Sequence, residues 1–326
     1  MNRITLFFIF FFLISCTQEH QKIDLEIHRF DRDLFEINKE NQIEVVSGLK
    51  NKYGSFYDLF ESQIINRGNV SDQRYYQELI FFTQHKDMRE AYDTVQVVFS
   101  DVSKIEQELG VAFWNFIQFF PTIEIPKIVA FFSGFNYGVI TFDDYIAIGL
   151  ENFLGSNSKY YSFVGEPKYI RFQKQEKFIS SNVLEALLNE HFQSYTGGQD
   201  LISQLIYKGK IMYCIDNILP HVSLADKFRF TKSQMKWTED NEEVIWKYFI
   251  HNDLLFSKDE KKFRSYINYA PFAKGMPKEA PGRVGYYIGY RIVSNYMQNS
   301  DIDYSQLMLL NDSRDFLKNS KYKPNK

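Results

Sequence analysis

From Gln42 to Phe120, hydrophobic residues recur three and four apart with almost no Gly or Pro between them, which predicts a helical block. Interruptions near "NRGNVSD" and "QHKD" divide it into four helices, the last running through "VSKIEQELGVAFWNFIQFF" to a stop at Pro121. Ahead of the block, "IDLEIHRFDRDLFEI" alternates imperfectly and reads as a short strand or extended lead-in followed by a turn of helix. Beyond Pro121 the texture changes. "IPKIVAFFSGF", "GVITF" and "YIAIGLENFLG" are short β-rich runs separated by Gly-Phe-Asn-Tyr-Gly and Asp-Asp, and predict two or three strands of a small sheet. "GEPKYIRF" reads as a loop leading to the next helix. Helical spacing resumes at Ile179 and runs through Asn217, then over Thr231–Asp253, Pro281–Gln298 and Tyr304–Lys318. No repeat or long linker intervenes. The pattern predicts an α+β fold, a mostly helical single domain with a small sheet: helices over about 42–120, sheet over about 123–155, helices over about 179–320.

The first residues follow a different logic. "MNRITLFFIFFFLISC" has Arg3, an apolar run from Ile4 to Ile14, a small residue and Cys16. The run is too short to span a bilayer as a stable helix and has the layout of an export signal. A small residue directly before Cys, behind an apolar run, is the bacterial lipobox pattern. It predicts a signal peptide over 1–15, cleavage before Cys16 and lipidation of Cys16, with 16–27 as a tether and 28–326 as the domain. The acyl chains then hold the protein at a membrane, each buried methylene contributing about 0.8 kcal/mol. "TQEHQKIDLE" has no dense acidic run, which favours the periplasmic face of the outer membrane, with the inner membrane as the alternative.

Composition narrows the classes further. The 326 residues are 44% hydrophobic and 24% charged, a globular balance. Net charge is −3, and loss of Arg3 with the signal takes it to −4, so no basic field exists to hold nucleic acid. The abundant Phe and Tyr predict an aromatic core, with a carbohydrate or peptide groove as their other use. After processing Cys214 is the one remaining thiol not carrying lipid, so no intramolecular disulfide forms, and its apolar position predicts a core residue.

"LLNEHFQSYTGGQDLISQLIYKGKIMYCID" carries the candidate chemistry. Val183, Leu184, Leu187, Leu188, His191, Phe192 and Tyr195 share a helical face, so His191 is expected to point inward as a partly buried core histidine with Glu190 at the flank. On the next helix Lys208 lies at the edge of an apolar stripe that includes Gly209 and Asp216. A catalytic zinc needs about three protein ligands and a general base. A His-Glu-x-x-His motif ending at His191 would place Leu187 and Leu188 at the first His and the Glu, and the third ligand would fall near Lys208, a cation. No other His pair has ligand spacing, so no metal or cofactor is expected. Walker, Gly-x-Ser-x-Gly and Gly-x-Gly-x-x-Gly motifs are absent. Asp143-Asp144 reads as a turn, Glu239, Asp240, Glu242 and Glu243 as a solvated helix start, and Cys214 with His221 lacks an orienting third group.

"NYAPFAKGMPKEAPGRVGYYIGYRIVSNYM" is the most particular stretch. Pro281 can open a helix, and Gly282, Gly285 and Gly289 then fall on one side of it. Each glycine costs about 0.8–1.0 kcal/mol of helix propensity against Ala, which close helix packing can offset. Arg283, with Tyr286 and Tyr290 nearby, is the candidate exposed contact for a partner, together with the cleft residues Glu190, His191 and Lys208.

The lipobox start, "IHRFDRDLF", "LIYKGKIMY", "DNILPHVSLADKFRFTKSQMKWTEDNEEVIWKYFIHNDLLFS", "SYINYAPFAKGMPKEAPGRVGYYIGYRIVSNYM" and the closing "KYKP" resemble the gliding motility lipoprotein GldB family of Bacteroidetes over essentially the whole mature chain. The resemblance implies an envelope lipoprotein of the gliding machinery, linked to type IX secretion, without established enzymatic activity and with other motility lipoproteins or secretion components as partners. The layout is also similar to predicted zinc-dependent proteases that end in a comparable Gly-Tyr-x-x-Gly-Tyr helix and carry Glu-Gly where this chain has Lys208-Gly209. That implies a zincin-like layout without an intact metal site, a pseudo-peptidase. Two functions remain in view: a non-enzymatic component acting by protein–protein interaction, or a metal-dependent hydrolase or glycan-binding protein acting on envelope material.

Overall fold

The computed structural model describes residues 21–66 and 74–325; the proposed signal peptide, Cys16 and most of "NRGNVSD" lie outside the described residues. The chain is tied to the fold early. Ile23 N donates to Gly110 O at 3.0 Å, and Ile27 is already in a strand.

Among the described residues four strands form one mixed sheet: β1 (Ile27–Arg29), β2 (Lys127–Phe131), β3 (Val139–Phe142) and β4 (Tyr145–Gly149), in the order β1-β2-β4-β3. β1, β2 and β4 are parallel; β3 is antiparallel to β4. Ile128 through Phe131 and the whole of β4 are buried. Their unbroken apolar texture follows, because a parallel ladder is covered on both faces. Asp143-Asp144 forms the two-residue turn between β3 and β4, with Asp143 at φ +48°. The lead-in contributes the fourth strand, β1, followed by a turn of helix at Phe30–Phe35 that packs on β2.

The helices of eight residues or more are α1 (Gln42–Tyr53), α2 (Tyr75–Gln84), α3 (Lys86–Val98), α4 (Ser103–Phe119), α5 (Ile179–Phe192), α6 (Leu201–Ile218), α7 (Lys232–Asp240), α8 (Glu242–His251), α9 (Glu260–Ile267), α10 (Val284–Gln298) and α11 (Ser313–Ser320). Local chemistry starts several of them. Asp200 Oδ1 accepts from Ser203 N at 3.1 Å at the head of α6, and Thr231 with Gln234 forms a capping box at α7. Gly54 introduces a break that the hydrophobic period does not show, and a short helix and a π turn follow it over Ser55–Ile64. Asn241 separates the helices carrying Trp237 and Trp246. Pro281 does not open a helix: α10 begins at Val284 with Arg283 as its cap. Glu242 is fully buried rather than solvated, and its Oε1 accepts from Tyr322 Oη at 2.8 Å and Arg291 Nε at 3.2 Å.

α6 and α10 form the most intimate contact between elements. A Cβ on Gly209 would lie 2.1 Å from the carbonyl carbon of Gly289, and one on Gly289 would lie 1.8 Å from Leu205 O. Gly285 faces Tyr266 O in the same way, at 2.7 Å. The glycine spacing therefore serves close helix packing. Lys210, buried on α6, donates to Met308 O at 3.1 Å and Leu310 O at 2.6 Å, which ties α6 to the C-terminal segment. Cys214 is fully buried, and burial pushes its thiol far above the ordinary range.

Gly289→Ala is expected to lower unfolding free energy by about 1–3 kcal/mol or more, because backbone must move to admit the methyl. Gly48→Ala, on α1 where a Cβ meets nothing within 4 Å, is expected to raise it by up to about 1 kcal/mol. Urea unfolding of both variants checks the pair; equal shifts would remove the case for a close crossing.

Candidate functional site

α5 packs on β3 and β4 and turns one polar edge toward α6 and α10. Residues four apart on a helix stack on one face, and on this edge they are Glu185 and Asn189. Glu185 Oε2 accepts from Arg229 Nη2 in a close ion pair, and Arg229 Nη1 donates to Asn182 Oδ1 at 2.6 Å. Arg283 Nη2 lies 3.5 Å from Glu185 Oε1, which also accepts from Tyr286 Oη at 3.2 Å. Asn189 Oδ1 accepts from Tyr207 Oη at 3.1 Å and Lys208 Nζ at 3.3 Å.

These groups surround a cavity of about 290 Å³ lined by Asn182, Glu185, Asn189, Arg229, Arg283 and Tyr286, with Tyr269 beside them. Both arginines are 2% exposed. The Arg283 guanidinium lies 3.9 Å from the Tyr286 ring centre and 4.4 Å from that of Tyr269. Lys208 Nζ lies 5.9 Å from the Tyr286 ring. The two arginines thus share one carboxylate, and Lys208 stands beside them on Asn189. Burial, with Arg283 adding repulsion, pulls the Lys208 ammonium down to about 8. Burial likewise pulls Arg229 down to about 10, which leaves it charged at neutral pH.

Of the six sequence-predicted cleft residues, Arg283 and Tyr286 line the cavity, and Lys208 stands next to it through its bond to Asn189. Arg283 is buried, not an exposed contact. It follows Gly282, whose Cα packs against Ala270 backbone, and that anchors the cap inside the fold. His191 is exposed, not inward-facing. It lies in the last turn of α5, where Glu190, Gln193 and Ser194 are exposed with it and Phe192 alone stays buried, so the apolar face here has run past the elements that cover it. Glu190 is exposed and accepts from Thr141 Oγ1 on β3 at 3.0 Å, outside the cavity lining. Tyr290 faces elsewhere, donating to Asp216 Oδ2 at 2.8 Å.

Sequence reasoning missed Glu185, Asn189 and Arg229. One signal was present: Arg229 stands between Phe228 and Phe230, an isolated charge in an apolar setting. The α5 residue that meets Lys208 is Asn189, an amide whose Oδ1 accepts from the lysine, while Leu187 and Leu188 are buried. No group of three or more His, Cys, Asp or Glu side chains that could hold a metal ion occurs among the described residues.

The chain is thus a helix-dominated α+β protein with a cationic pocket lined by two buried arginines, and no described helix is long and apolar enough to cross a membrane. The family model described as gliding motility protein GldB matches residues 15–324, and the chain belongs to that family. Comparison with curated proteins and with solved structures gives no match. The family is linked to gliding motility and is a lipoprotein family.

Arg283→Ala is expected to destabilise the fold by about 1–3 kcal/mol, since it removes a buried charge-assisted contact and two ring contacts. A change within about 0.5 kcal/mol in urea unfolding would instead mark a surface side chain. Lys208 adds a pH signature. Its folded value, about 8, lies below the ordinary 10.5, so between them the unfolded chain holds more protons. Stability relative to Lys208→Met is therefore expected to rise as pH increases from about 8 to about 10. A flat difference across that window would show that Lys208 titrates normally.

Proposed function

We propose that this chain is a non-enzymatic lipoprotein component of the gliding machinery, anchored through Cys16 to the periplasmic face of the outer membrane and acting by protein–protein interaction. The observation that carries the reading is the family match over residues 15–324, which begins one residue before Cys16. A link to type IX secretion belongs to the same proposal, as do other motility lipoproteins or secretion components as partners.

The pocket supports binding rather than turnover. Its lining includes no Ser, Cys or His to serve as a nucleophile or proton carrier. Its one carboxylate, Glu185, is engaged by Arg229, Arg283 and Tyr286. A group whose lone pairs are already committed is poorly placed to take a substrate proton. We extend the proposal to a pseudo-peptidase layout: Leu187, Leu188 and Lys208 stand where a His-Glu-x-x-His motif ending at His191 and its third ligand would be needed, and none of the three is a zinc ligand.

Cells whose only copy carries Cys16→Ser are expected to lose palmitate labelling of the protein, release it from membranes and stop gliding. Normal labelling of the variant would overturn the anchor. Unlabelled, released protein that still supports gliding would overturn the need for membrane attachment in the machinery.

A further inference from the structure

We propose that the pocket between α5, α6 and α10 binds a phosphate group, free or as the end group of a small monoester. The pocket's chemistry stands apart from the motility role, and binding in vitro is read separately from gliding. The first observation is charge. Arg229 and Arg283, both almost fully buried, line the cavity and share the single carboxylate Glu185, and Lys208 stands behind Asn189 as a further cation close enough to Arg283 to be repelled by it. Buried charge is costly unless paired, and a pair broken on one side costs more than an intact one.

The second observation is the state of the donors. Arg229 Nε and Arg283 Nη1 are buried and have no hydrogen-bond acceptor among the described residues, although both side chains line the cavity. Lys208 Nζ has one long contact, to Asn189 at 3.3 Å, for its three protons. The side-chain acceptors of the α5 edge are engaged: Asn182 Oδ1 by Arg229, Asn189 Oδ1 by Tyr207 and Lys208, and Glu185 by the two arginines and Tyr286, while Gln173 Oε1, on the far side of Arg229, is buried without a donor. Two orphaned guanidinium donors in the lining, with a third cation beside it, select an anion rich in acceptor atoms. A tetrahedral oxyanion offers those donors more acceptors than a monocarboxylate does.

The third observation is backbone conformation. Arg229 and Arg283 both sit at positive φ, +57° and +68°. An L-residue held there carries strain that the surrounding fold must sustain, and such residues cluster at ligand clamps. Arg283 also caps the first turn of α10, a 15-residue helix, so the positive end of its dipole adds to the same field. A volume of about 290 Å³ admits a phosphate with a short attached carbon chain.

The test uses the full chain purified in detergent, titrated calorimetrically with inorganic phosphate, glycerol 1-phosphate and acetate at constant ionic strength. Saturable binding of phosphate or the monoester, with none of acetate, is expected. Preference between the first two separates a free ion from an end group. Lys208→Met removes a half-buried group with a single long contact, so it is the variant expected to fold, and it should weaken phosphate binding about tenfold. Glu185→Gln removes the internal competitor and should tighten binding and give the larger thermal stabilisation by phosphate. Absence of saturable binding, acetate binding as tightly as phosphate, or unchanged affinity in Lys208→Met would each overturn the proposal. So would weaker binding in a folded Glu185→Gln variant.

Discussion

The backbone contact between Gly209 and Gly289 is the constraint on which the C-terminal half depends. Two helices whose axes approach this closely have no room for a Cβ at the crossing, and the distances of 2.1 and 1.8 Å to backbone atoms show that nothing soft could yield. Helix propensity runs against both residues, by about 0.8–1.0 kcal/mol each. The contact persists because it sets everything beside it. Lys208 and Lys210 flank Gly209: one approaches Tyr286, and the other reaches the carbonyls of Met308 and Leu310. Four residues before Gly289, Gly285 seats the head of α10 on Tyr266 backbone. Arg283 and Tyr286 are thereby held toward Glu185.

How much of this was legible follows from the range of each interaction. The long helices carry their own signal, because a face three and four residues apart is a local property. α9 was missed: Glu260–Ile267 has three buried residues among charges, too few to set a clear period. β1 was readable as extended but not as sheet, since its partner β2 lies about a hundred residues away. The glycine stripe was readable as close packing, and its partner Gly209 was visible as a residue within a stripe.

The site was legible only in pieces. Lys208, Arg283 and Tyr286 stood out by composition. Glu185 did not, because a carboxylate near a helical apolar stripe is ordinary until its partners are known. Those partners arrive from 44 residues downstream, at Arg229, and 101 residues downstream, at Tyr286. The same limit misplaced two side chains. His191 does share the apolar face by spacing, but it falls in the last turn of α5, where that face is no longer covered. Arg283 looked exposed because Gly and Pro surround it, yet those residues let the chain turn inward and bury it.

The two arginines show what the fold sustains around this pocket. Glycine would occupy φ +57° or +68° at no steric cost, whereas an L-side chain there costs about 1–2 kcal/mol. A buried guanidinium adds desolvation to that strain, and a third cation adds repulsion. Packing considerations alone would therefore place small neutral residues at 229 and 283. What the side chains supply instead is a set of charged donors fixed before any ligand arrives, stacked on Tyr286 and Tyr269 and braced by Glu185 and Asn182. Fixed donors need little reorganisation when an anion enters, so more of its interaction energy appears as affinity. The glycines of the helix crossing and the strained arginines thus belong to one arrangement: the first hold the backbone close, and the second use that rigidity to keep like charges together.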